Sequence, residues 1–131
     1  MAANSLEVIL SRQLADSLSI PVFIIDPVGD LLFYNEPAEE ILGQRFEETG
    51  RMAVEYWSTI FKQVDKDGNR IPPDNLPLVQ TLRKQSPHHG EFWIENLAGA
   101  KYKISVTAYP IIGRPNRFLG AVAIFWKTDD A

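Results

Sequence analysis

Pro21-Val22-Phe23-Ile24-Ile25-Asp26-Pro27-Val28-Gly29-Asp30-Leu31-Leu32-Phe33-Tyr34-Asn35 is the stretch on which the fold of this chain turns. Val22 to Asp26 opens as a β-branched, apolar run, Pro27-Val28-Gly29-Asp30 is turn chemistry, and Leu31 to Tyr34 is apolar and aromatic again. Three pieces in that order predict a β-hairpin. Asn35 then stands where its side chain caps a short helix, with Pro37 tolerated in the first turn, Ala38 to Leu42 as the body and Gly43 as the stop.

Upstream, Asn4 followed three residues later by Glu7 is a variant of the capping box, and Leu6, Leu10, Leu14 and Leu18 recur at i+4 spacing along one helical stripe. The first element is therefore an amphipathic helix. Val8, Ile9 and Ala15 widen its apolar surface beyond one stripe. Two readings follow: the helix covers the domain's own core, or Leu6, Ile9, Leu10, Leu14 and Leu18 meet a second copy in a homodimer.

Downstream, Gln44 to about Gln85 reads as helical and irregular, with Val54, Trp57, Ile60 and Phe61 at helical spacing and a break at Asp65 to Pro73. A second helix starts near Asp74, where Leu78, Val79 and Leu82 share a face and Arg83 and Lys84 complement the negative end of the helix dipole. The last third is strand-rich: Gly90 to Leu97, a turn at Ala98-Gly99-Ala100, Lys101 to Pro110, a loop at Gly113 to Arg117, and Phe118 to Trp126. Lys101, Lys103, Ser105 and Thr107 alternate with Tyr102, Ile104, Val106 and Ala108, the pattern of an antiparallel strand wet on one face. The whole predicts an α+β fold, an antiparallel sheet of about five strands with helices gathered on one face. It divides the chain into a flanking helix over 1–20, a core over 21–127 and a tail over 128–131.

The totals narrow the function. With 131 residues the chain suits one domain, and 45% apolar against 23% charged residues is globular composition. A net charge of -4 without clustered Lys or Arg argues against a nucleic-acid surface and against membrane binding through a polybasic patch. No apolar run approaches the ~20 residues of a membrane span, no signal peptide is evident, and there is no cysteine for disulfides. The expectation is a cytoplasmic protein.

At this point the residues resemble a known family. Pro21 to Asp30 running into Phe33-Tyr34-Asn35-Glu36-Pro37-Ala38-Glu39 and Ile41-Leu42-Gly43 is similar to the first half of PAS domains, in which an Asp-x-x-Gly turn joins two strands and an Asn-x-x-Ala motif opens the first core helix. Asp67-Gly68, then Pro72-Pro73-Asp74-Asn75-Leu76-Pro77-Leu78, resembles the lead-in to the long helix of many bacterial members, and Ser105 to Pro110 with Leu119-Gly120-Ala121 resembles their last two strands. The family often closes on Asp-x-Thr, where an output domain is joined, whereas this chain reads Lys127-Thr128-Asp129-Asp130. The resemblance implies a sensor in signal transduction that binds a ligand, a partner protein or an output domain, and that is not an enzyme.

Chemistry at single sites is sparse. Flavin photochemistry of the cysteine-dependent kind is excluded by the cysteine-free sequence, and the histidine that haem-binding members supply from the long helix has no counterpart between Asp74 and Gln85. His88 and His89, adjacent on a strand, point to opposite faces and so do not chelate one ion. Asp65, Asp67 and Gly68 fit a turn better than a calcium loop, because that register puts Gln63 first, Arg70 in the apolar slot and Asp74 last. Glu91 and Glu95, on one strand face beside Trp93, read as solvated surface. Alternation assigns Ile24, Leu32, Leu42, Trp57, Ile60, Leu82, Phe92, Ile94, Ile104 and Val106 to the space between sheet and helices, with Tyr34 or Tyr102 as polar handles. Such a lining fits a pocket for a small apolar ligand and equally a filled core. A rival from another class is a small cone-fold enzyme of the ketosteroid-isomerase kind, with Asp26 and Tyr34 in its catalytic roles, although such folds place most helices first.

Overall fold

The computed structural model describes residues 6–96 and 99–128, Thr59 by its backbone alone. The Asn4 cap, Leu97, Ala98 and the Asp129-Asp130 tail lie outside them. The elements run α1 (Leu6–Ser17), β1 (Val22–Ile25), β2 (Leu31–Tyr34), α2 (Glu36–Leu42), α3 (Phe46–Thr49), α4 (Val54–Ile60), β3 (Lys62–Val64), a 3-10 turn (Pro73–Asn75), α5 (Pro77–Lys84), β4 (His88–Glu95), β5 (Lys101–Gly113) and β6 (Arg117–Lys127). Among the described residues six strands make one antiparallel sheet in the order β2-β1-β6-β5-β4-β3. The sequence predicts about five; the extra one is β3, three residues on the sheet's edge that pair with β4 from Lys62 opposite Glu95 to Val64 opposite Trp93.

The hairpin and its cap form as the sequence dictates. Asp26 Oδ1 accepts from the amides of Val28 and Asp30, both at 3.0 Å, and Gly29 holds the left-handed φ of 98° that the turn needs. Asn35 caps α2 by accepting from Ala38 N at 3.2 Å, and Gly43 ends that helix in the αL region. The same device recurs at the turn expected over Asp65 to Gly68: Asp65 Oδ1 accepts from Asp67 N at 2.9 Å and Asn69 N at 3.0 Å, closing a hairpin onto a bridge between Val64 and Arg70.

Consecutive strand residues face opposite ways, and the two sheet faces build two cores. On the inner face Phe23, Ile25, Tyr34, Phe92, Ile94, Ile104, Val106, Ala123 and Phe125 pack with Ala38, Leu42, Trp57, Phe61, Leu78 and Val79 of the helical side. On the outer face Val22, Ile24, Leu32, Phe33, Ile111 and Val122 take Val8 and Ala15 of α1. Each large apolar side chain fully buried this way contributes roughly 1.5–3 kcal/mol.

The leucine stripe of α1 turns outward. Val8 and Ala15 are the buried residues, whereas Leu6, Ile9, Leu10 and Leu14 are exposed, Leu6 by 67%, and Leu18, past the helix end, packs partly against the outer core. Among the described residues no helix is long and apolar enough to cross a membrane.

Candidate functional site

A cavity of about 60 Å3 lies between the inner face and the helices, lined by Phe23, Leu42, Trp57, Phe61, Gln63, Leu76, Pro77, Leu78, Phe92, Ile94, Ile104, Val106, Ala123 and Phe125. Five of these are aromatic. Trp57 meets Phe23 edge-on with ring centres 5.2 Å apart, and its indole N–H donates to the carbonyl of Gly29 at 2.8 Å, pinning α4 to the first hairpin. Gln63 is the one hydrophilic residue in the lining.

Six residues assigned to the site from sequence do line it: Leu42, Trp57, Phe92, Ile94, Ile104 and Val106. Ile60, Leu82 and Tyr102 are partly buried and pack against the inner core without reaching the cavity. Ile24 and Leu32 sit on the other face of the sheet, beneath α1. All four residues of β1 are buried, so alternation carries no information about which face is which. Opposite it, the register slips at a bulge, with Ile24 facing Phe33 but Ile25 facing Leu31, so Leu32 is the unopposed extra residue.

Tyr34 belongs to the inner core, but its hydroxyl donates to the carbonyl of Gln44 at 2.8 Å, with Thr49 Oγ1 at 3.2 Å, and does not line the cavity. Burial pushes its pKa up from the ordinary tyrosine value, the Thr49 hydrogen bond opposes this, and the negative charges of Glu39 and Glu48 add to the rise. Tyr102 lies beneath the Lys127 ammonium, 4.7 Å from its ring centre. Asp26 is committed to its turn and Tyr34 to the Gln44 carbonyl, so the acid and phenol of an isomerase-like site do not converge on the cavity.

The histidines part as strand geometry requires. His88 Nδ1 lies 2.9 Å from Ser86 O and 3.3 Å from Thr81 Oγ1 of α5, whereas His89 Nδ1 lies 2.8 Å from Thr107 Oγ1, with its ring near Trp126 on the outer face. Glu91 accepts from Ser105 Oγ at 2.9 Å, and Glu95 pairs with Lys62 at 3.2 Å. Both carboxylates serve the sheet surface.

A second hollow, about 270 Å3, lies under α1 between Val8, Ile9, Arg12, Gln13 and Asp16 of the helix and Ile24, Leu32 and Phe33 of the sheet. Between the buried Val8 and Ala15 the helix carries Arg12, whose guanidinium lies 4.5 Å over the Phe33 ring and leaves the space beneath unfilled. Aromatic contacts connect the two hollows: Trp57 touches Phe23, Phe23 stacks on Tyr34 at 5.9 Å, Tyr34 and Phe33 each meet Phe46 at 5.4 Å, and Phe33 carries Arg12.

No protein-family profile and no curated protein sequence matches the chain. Solved structures do. The PAS domain of a protein from Colwellia psychrerythraea superposes with a TM-score of 0.64 at 17% identity, over 92% of this chain and 96% of that one. The PAS domain of Bordetella pertussis BvgS gives 0.63 at 12% identity, over 95% and 87%. The Rhodobacter sphaeroides LOV protein gives 0.73 at 11% identity, over 96% and 70%. The fold of this chain is the PAS fold, as its hairpin, Asn35 cap and terminal meander lead one to expect.

Some solved structures of this fold are described as flavin or light-oxygen-voltage domains. A cavity of about 60 Å3 falls far short of the ~300 Å3 at which ligand pockets begin, so the lining as it stands does not accommodate a flavin, and the cysteine-free sequence rules out the cysteine-dependent photochemistry.

Proposed function

We propose that the chain is a sensory or regulatory module, cytoplasmic and without enzymatic activity, that binds a small apolar ligand in the central cavity and passes the change through α1 to a second copy or to a partner protein. The observation that carries this reading is the cavity itself, walled by aromatic and aliphatic side chains drawn from nearly every element of the inner face.

Its size favours signalling over storage. An apolar cavity that holds benzene measures ~150 Å3, so even a single ring must push the walls of this one apart. Occupation then favours an expanded arrangement over the closed one, which is the differential affinity a switch needs. α1 is placed to respond, since it is loosely seated over its own hollow and touches the aromatic contacts that begin at Trp57. The stripe Leu6, Leu10 and Leu14, exposed on its far side, suits a second α1.

Native mass spectrometry of the purified protein, with a denatured run beside it, tests this. Extra mass of an apolar molecule, lost on denaturation, together with a dimer, supports the proposal; a hydrophilic ligand in the cavity overturns it. A ligand-free dimer that no apolar compound stabilises would support the second reading, an interaction domain with a filled core, which the small cavity volume also favours.

A further inference from the structure

Gln63 stands where the strand pattern asks for an apolar residue. Phe61 and Gln63, two apart in the chain, both line the cavity, yet one is a buried hydrocarbon and the other a carboxamide, only 9% exposed. Among the described residues no hydrogen-bond partner meets this amide, and no fully buried polar side-chain atom lacks one, so the Gln63 amide lies at the cavity's mouth in slight contact with water. A carboxamide among apolar walls, with no partner in the protein, has its donor and acceptor available to whatever enters the cavity. Local rules are broken in this way most often where a site needs them broken.

The backbone holds this side chain in place from both sides. Gln63 is registered opposite Ile94 in the sheet, and its carbonyl accepts from Ile71 N at 3.0 Å across the Asp65 hairpin. The amide is thus mounted on a fixed strand, as a recognition group must be.

We propose that the Gln63 carboxamide selects the ligand of the cavity: an uncharged, ring-sized apolar molecule that carries one neutral hydrogen-bonding group, a hydroxyl or a carbonyl, and presents it to this amide. The inference deepens the ligand-binding reading above and rests on it. No ionisable side chain lines the cavity, so a charged ligand would shed its hydration without a counter-charge. Gln offers both a donor and an acceptor, and therefore suits a hydroxyl or a carbonyl alike. A pure hydrocarbon would leave the amide desolvated and unpaired, which gives discrimination by default.

Phenol and toluene, alike in shape and differing by OH against CH3, are the probes. Each is titrated into the wild-type chain and into Gln63→Leu, with Gln63→Met as a second variant of matching length, by amide chemical shifts, and the melting temperature of each protein is recorded. The preference for phenol, taken as the ratio of the two Kd values, is expected to be about 5–10-fold greater in the wild type than in either variant, the value of one neutral hydrogen bond. Both variants are expected to melt no lower than the wild type, since they lose no hydrogen bond to the protein. An equal ratio in all three proteins overturns the role of Gln63 and leaves the cavity reading standing. A loss of several degrees with an unchanged ratio makes the amide a structural group and also overturns it. If neither probe binds the wild type, the ligand reading falls and this inference with it.

Discussion

The side-chain amide of Asn35 donates to the carbonyl of Ala15 at 2.9 Å, fastening the last turn of α1 to the end of β2. The same amide group donates to Ile20 O at 2.9 Å, while Oδ1 accepts from Val22 N at 2.9 Å and caps α2 through Ala38 N. One buried side chain therefore joins the flanking helix, the first strand and the first core helix.

Asn35→Ala removes four hydrogen bonds, three of them buried, and is expected to cost about 3 kcal/mol, or roughly 10 °C in melting temperature. Asn35→Asp keeps both acceptor contacts but sets a carboxylate against the Ala15 and Ile20 carbonyls. In that variant the amides of α1 should exchange with deuterium faster than in the wild type, while those of β5 and β6 keep their protection. Uniform loosening of all three would show that α1 is not separately held.

Leu10, 52% exposed at the centre of the leucine stripe, tests the dimer. Leu10→Asp should turn a dimer into a monomer in sedimentation while changing the monomer's stability by less than about 0.5 kcal/mol, as at other exposed positions. An unchanged oligomeric state with the fold intact would remove α1 from the interface.

The two Asp-anchored turns differ in their surroundings. A Cβ on Gly29 would come within 2.9 Å of Leu82 Cδ2 and 3.2 Å of Val54 Cβ, whereas a Cβ on Gly68 meets nothing within 4 Å. Both hold positive φ, so Gly68→Ala should cost about 1 kcal/mol and Gly29→Ala about 2–3 kcal/mol, the excess being crowding. Urea unfolding of the two variants measures the difference, and equal losses would show that α4 and α5 do not close over the first turn.

Alkaline stability should depend on Tyr34. Its pKa is raised in the folded state, so the unfolded chain gives up its proton first, and the stability tied to the neutral phenol is intact below about pH 10 and lost as pH climbs from there through the folded value. Tyr109, raised by burial, acts with the same sign. Tyr34→Phe should therefore flatten, without abolishing, the decline in melting temperature above pH 10, at a cost near neutrality of about 1 kcal/mol for the bond to Gln44. An unaltered slope would count against the burial of this hydroxyl.

Much of the architecture was legible because local chemistry dictates it. Asp26 and Gly29 specify their turn, Asn35 its cap and Gly43 its stop, and each does so within a few residues of chain. β3 was hidden because three residues following directly on α4 carry too little pattern to register as a strand. Gln63 was hidden with it, since a glutamine in a stretch that reads as helical and irregular gives no sign of facing a core until the strand puts it on the same side as Phe61. Ile24 and Leu32 show a different limit: β1 and β2 are apolar on both sides because α1 covers the outer face, so periodicity could find the strands but not orient them. In α1 the i+4 spacing found the helix but left open which side meets the sheet: Leu6, Leu10 and Leu14 lie away from it while Val8 and Ala15 do the packing.

Phe23 lines the cavity, and its neighbours Val22 and Ile24 form part of the floor on which α1 rests. Adjacent Cα atoms are about 3.8 Å apart and joined by a stiff peptide plane, so whatever displaces Phe23 drags the floor along with it. Ala123 and Val122 of β6 repeat the arrangement one strand over. The sheet is thus a partition a single residue thick, and a guest of the kind proposed, crowding one side of a partition this thin, would press on the other as on a diaphragm, without any lever, hinge or cable between them.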